Sequence, residues 1–264
     1  MVIEKAIAIA NEFRCDIFLL YNHSRFISFP YTTHASGIMD AGHPSTEDKK
    51  MKELVEHYKS QLKEGLTLHG EIMSGSWFDM MKKFIIAHHI DLVVLPGNSR
   101  QLWGALIRKL NINRLARITS CPVLVVSQHF DIAHLRNIVV PVDGCLPVRK
   151  LTAATYIAKR SDSIIHLMGF KKSFHEKDPV DTKWLTKAYQ LLRDHTQLKI
   201  HRSSSYGHSV ASNTLSYAKL VEADLIVVNP GKESVLGGTW TRRILGKYIY
   251  KESTIAVLTI AQQQ

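Results

Sequence analysis

Cysteine is scarce: the 264 residues include three, Cys15, Cys121 and Cys145. They are odd in number, far apart and never in a C-x-x-C pair, which argues against a disulfide framework and a thiolate zinc site. The 14 histidines supply one adjacent pair, His88-His89, but helix neighbours point about 100° apart. No H-E-x-x-H spacing accompanies them, so no metal is expected. No apolar run approaches the roughly 18 residues of a membrane span. The opening MVIEKAIAIANEF carries charges within a helical pattern, unlike the basic head and continuous apolar middle of a secretory signal. A cytoplasmic protein without a membrane segment is the expectation. G-x-S-x-G is missing, as are paired carboxylates at a defined spacing, so nothing specifies a reaction and a non-catalytic protein is expected.

Negative charge is also short: 34 Lys and Arg stand against 23 Asp and Glu, a formal net charge of +11. Such a chain suits polyanions only where the charge gathers on one face. Along the sequence the basic residues are spread over nearly every predicted helix, with small clusters at Lys49-Lys50, Lys171-Lys172 and Arg242-Arg243. A solvated basic surface is therefore expected, and nucleic acid is not an expected partner.

What the chain does contain is one design used twice. Asp91 to Trp103 reads DLVVLPGNSRQLW and Asp224 to Trp240 reads DLIVVNPGKESVLGGTW, each a short apolar run feeding a glycine-containing loop. Such a run suits a strand buried on both faces. Asp91, Leu92 and Val94 stand 133 positions before Asp224, Leu225 and Val227, and Gly97 stands 134 before Gly231. Apolar spacing predicts helices over 2–13, 46–65, 76–89, 105–118, 147–160, 180–195, 207–223 and 241–251. Strands are predicted over 16–21, 66–73, 91–95, 122–127, 137–143, 163–169, 198–202, 224–229 and 254–260. Residues 22–45 read as a long polar surface insertion, and Ser203 to Ser205 as a polar strand-to-helix loop. Strands alternating with helices give an α/β class with two tandem, doubly wound, mainly parallel sheets, over 1–130 and 135–264. Ligands of such sheets sit beyond the carboxyl ends of the strands, where both glycine loops lie.

The second half, IVVPVDG at 138–144 followed by the element series to DLIVVNPG at 224–231 and a last helix and strand, resembles a universal stress protein domain. The first half matches from its first helix onward, with DLVVLPG at 91–97 and CPVLVVS at 121–127. The resemblance covers essentially the whole chain and implies a tandem member. It further implies a Rossmann-like fold of the adenine nucleotide alpha hydrolase kind, a five-stranded parallel sheet per domain, and pairing across the final strands. One branch of that family binds ATP through G-x2-G-x9-G-(S/T); the other lacks the loop. Glycines there let backbone N–H groups approach phosphate at a helix N-terminus.

Neither half keeps that spacing. Gly97 is followed by Arg100 and Leu110, with Asn111 next, where glycines and Ser or Thr belong; Gly231 is followed by Ser234 and Ile244. Gly237-Gly238-Thr239 supplies a Gly-Thr pair at another spacing. The candidate ligand-contact residues are thus Asp143, Gly144, Gly231, Lys232, Ser234, Gly237, Gly238 and Thr239. No cofactor is expected, with ATP the alternative. Asp143 also suits a turn or cap, Lys232 a solvated loop, and Trp103 and Trp240 packing anchors. The first half starts at its first helix and lacks a counterpart of 137–143, the family's central strand, so truncation at the start is expected. The function expected is that of a stress-response regulatory or interaction protein, working through protein partners or self-association through its final strands. An ATP-binding sensor and a polyanion binder are the alternatives.

Overall fold

The computed structural model describes residues 2–22, 46–97, 111–171, 179–206, 209–231, 233 and 255–262. The first half contains α1 (Val2–Phe13), β1 (Ile17–Asn22), α2 (Thr46–Lys59), β2 (Leu68–Met73), α3 (Trp77–Ala87), β3 (Val93–Pro96), α4 (Ile112–Thr119) and β4 (Val123–Val126). A 3-10 turn, Ile132–His134, crosses the junction. The second half contains β5 (Asn137–Val142), α5 (Val148–Ser161), β6 (Ile164–Lys171), α6 (Pro179–His195), β7 (Ile200–Tyr206), α7 (Val210–Leu220), β8 (Leu225–Val228) and β9 (Ala256–Thr259).

Seven strands form one sheet in the order β3-β4-β9-β8-β5-β6-β7. Every neighbouring pair is parallel except β4 and β9, which run antiparallel with Val123 opposite Thr259 and Val125 opposite Val257. The final strands of the two halves therefore pair with each other within the chain. Each has a second neighbour, β3 for β4 and β8 for β9, so neither offers a free edge to another chain.

Successive side chains of a strand point to opposite faces, and the apolar runs feed two cores. On one face Val93, Leu95, Val123, Val125, Val139, Ile226 and Val257 pack under α3, α4 and α7. On the other, Leu124, Val126, Ile138, Val140, Ile165, Val227 and Leu258 pack under α1, α5 and α6. Both cores draw residues from both halves of the chain. Gly97, at the end of β3, donates its N–H to the Val126 carbonyl at 2.7 Å. A Cβ there would stand 2.9 Å from that same oxygen.

Among the described residues the first half does not form a five-stranded sheet of its own. Its strands are divided: β3 and β4 join the large sheet, while β1 and β2 make a separate parallel pair. In the second half β5 lies between β8 and β6; among the described residues no strand takes the equivalent place between β3 and β1. A second correction concerns Ser203 to Ser205, which belong to β7 rather than to a loop. As the outer strand, β7 needs only one covered face, so an exposed Ser204 between half-buried Ser203 and Ser205 fits there.

Candidate functional site

The strand order reverses at β5: β6 and β7 lie to one side, β8 and β9 to the other. The carboxyl ends of β5 and β8 thus bound a topological switch point, where sheets of this kind hold ligands. Asp143 and Gly144 follow β5, and Gly231 follows β8 at the same end. Asp143 is half-buried, and its carbonyl accepts from the Cys145 N–H at 2.9 Å. Gly144 and Gly231 have φ of +70° and +109°, backbone conformations that favour glycine. Lys232, Ser234, Gly237, Gly238 and Thr239 lie outside the described residues, as do Trp103 and Trp240. Asn111, at the family's Ser/Thr position in the first half, caps α4, its side chain accepting from the Arg114 N–H at 3.2 Å.

Two residues that the sequence pattern did not single out lie between β5 and β8. Lys150 sits in the first turn of α5 with no part of its side chain exposed. Its ammonium donates to the Pro141 carbonyl on β5, at 2.5 Å, and to the Glu233 carboxylate. Glu233 is itself buried, two residues past Gly231, and also accepts from the Asn229 N–H at 2.8 Å and its side-chain amide at 3.4 Å. One carboxylate therefore ties together the start of α5, the end of β8 and the loop beyond it. Burial draws the Lys150 ammonium below the usual lysine range, opposed chiefly by Glu233 and also by Asp143. The Asn229 Oδ1 and Thr259 Oγ1 atoms, at the ends of β8 and β9, are buried without a hydrogen-bond partner.

Lys150, Glu233 and the Asn229 N–H are paired with one another. The backbone N–H of Asn229, a natural donor to phosphate at this end of the sheet, already serves Glu233. Among the described residues the one buried Lys or Arg is paired with the same carboxylate, and a phosphate entering there would meet Glu233 and Asp143 as like charges. The crevice carries an internal anion on its own internal cation.

The opposite end of the sheet is also polar. The Asp224 carboxylate accepts from the N–H groups of Arg136 at 2.7 Å and Asn137 at 3.0 Å. Buried His166 meets the Tyr217 hydroxyl and the Asn137 amide oxygen, both at 3.1 Å. Burial and the neighbouring His201 hold its pKa below the ordinary histidine value. A cleft of about 270 Å³ at that end is lined by His129, Lys219, Glu222 and Asp224 over Phe130 and Ile255. Among the described residues no group of three His, Cys, Asp or Glu side chains could hold a metal, and no helix is long and apolar enough to cross a membrane. Burial raises the Cys121 thiol to about 12. It is therefore an inert packing group.

Several solved structures share this architecture over most of the chain. A universal stress protein from Archaeoglobus fulgidus DSM 4304 superposes with a TM-score of 0.65 at 14% identity, covering 98% of this chain and 94% of the other. The fold is that of the universal stress proteins. A putative universal stress protein from Pseudomonas aeruginosa UCBPP-PA14 has a TM-score of 0.62 at 14% identity, covering 98% of this chain and 87% of its own. The cytoplasmic domain of a prokaryotic cation chloride cotransporter is more distant, with a TM-score of 0.50 at 12% identity over 81% of this chain and 79% of that one. One fold thus serves different settings, and function has to be argued from the site. No family model and no curated protein matches the sequence.

Proposed function

We propose that this universal-stress-protein-like chain is a cytoplasmic, non-catalytic stress-response regulator acting through protein contacts, with tandem domains over 1–130 and 135–264. The observation that carries this reading is the buried Lys150–Glu233 pair at the switch point. A crevice filled by its own ion pair keeps the architecture of a nucleotide pocket without its free donors. On this reading Asp143, Gly144 and Gly231 serve as turn residues at the ends of β5 and β8 rather than as a phosphate cradle. Calorimetry with ATP and magnesium tests this, and the expected result is no heat of binding up to millimolar nucleotide. Micromolar binding that vanishes in Gly231→Val would overturn it in favour of an ATP-binding sensor.

A further inference from the structure

The fold alters the expectation of an evenly spread basic charge at one place. From Lys183 to Tyr206, α6, the turn after it and the outer strand β7 together carry five Lys or Arg and one carboxylate, Asp194. Four of the five cations stand over aromatic rings. The Lys183 and Lys187 ammonium groups lie 5.8 and 5.0 Å from the Trp184 ring, and the Arg193 and Arg202 guanidinium groups lie 6.0 and 4.4 Å from the Tyr189 ring. Lys183, Lys187, Arg193 and Arg202 are exposed, while Trp184 and Tyr189 are half-buried. The rings are anchored by packing against the core beneath α6, and the cations rest on them.

A cation over a ring loses rotamer freedom but keeps its charge. Among the described side chains, the only carboxylate partner in the row is Asp194, 3.2 Å from Arg193. Along α6, Lys183 and Arg193 are ten residues apart, about 15 Å at the helical rise, and Arg202 extends the row onto β7. We propose that this α6–β7 face binds single-stranded nucleic acid through its phosphate backbone. A linear polyanion matches a linear row of held cations. A membrane surface fits less well, because the exposed large aliphatic side chains Leu54, Ile86, Ile118, Val148 and Leu220 belong to other elements.

The test is fluorescence anisotropy of the full chain with a short, unstructured oligouridylate at several salt concentrations. Four phosphate contacts predict a log–log salt slope of about −3, a roughly 50-fold loss of affinity between about 50 and 200 mM salt. Arg202→Gln and Lys187→Gln should each flatten the slope by about 0.7. Tyr189→Leu should weaken binding at unchanged net charge, because Arg193 and Arg202 lose their ring. Lys52→Gln, an equal charge loss on α2, should do neither. Circular dichroism of each variant separates misfolding from lost contact. No binding at about 50 mM salt, or an equal effect from Lys52→Gln, overturns the proposal. Binding to phosphatidylserine-rich vesicles with the same residue dependence, but not to oligouridylate, overturns it too.

Discussion

A lysine with no exposed surface depends on each oxygen around it. Lys150→Ala would leave the Glu233 carboxylate buried without its cation, a loss of about 3–5 kcal/mol. Lys150→Met combined with Glu233→Leu removes both charges and leaves the Pro141 carbonyl and Asn229 N–H unpaired, each costing roughly 1–3 kcal/mol. The double variant should therefore be less destabilised than the sum of the two single ones, as read from urea midpoints. Strict additivity would count against coupling of the pair. Neither residue stood out in the sequence, for a physical reason: a lysine near a helix start and a glutamate in a polar loop normally face water. A signal was present nonetheless. Lys150 shares the stripe Leu151, Ala154 and Ala158, all buried, and so occupies an apolar position of α5.

At the scale of elements, strands buried on both faces announced themselves, because a run such as Ile138 to Val142 can only be interior. Strand β7 did not, since an outer strand satisfies its exposed side with serine, histidine and arginine. The paired loops were recognisable from Gly97 and Gly231, yet the two glycines serve different needs. Gly97 is required by close backbone approach, Gly231 by its positive φ with open space around it. Gly97→Ala should cost about 1–3 kcal/mol by pressing on the β3–β4 pair. Gly231→Ala should cost about 1–2 kcal/mol through backbone strain alone. Hydrogen exchange distinguishes the two: the first should speed exchange along β3 and β4, and the second should leave those strands protected.

For the whole molecule, the order of elements along the chain was readable, and the partition of strands between sheets was not. Alternation of strand and helix does not say which edges meet. The large sheet crosses from one half to the other, and each of its two cores mixes residues of both, so the halves should unfold together. Val139→Ala, in the second half, removes buried methyl groups from the core beneath α3 and α4 as well as α7. It should lower stability by roughly 1–3 kcal/mol. Calorimetry should then show one heat transition moved as a unit. A first-half transition that stays in place while another shifts would contradict this.

The pairing of β4 with β9 has a consequence for abundance. Strands joined across two chains separate on dilution, below a concentration set by their dissociation constant. Here both strands belong to one chain, so their encounter is unimolecular and independent of protein concentration. For this strand pair a single copy suffices, at the lowest expression level as at the highest.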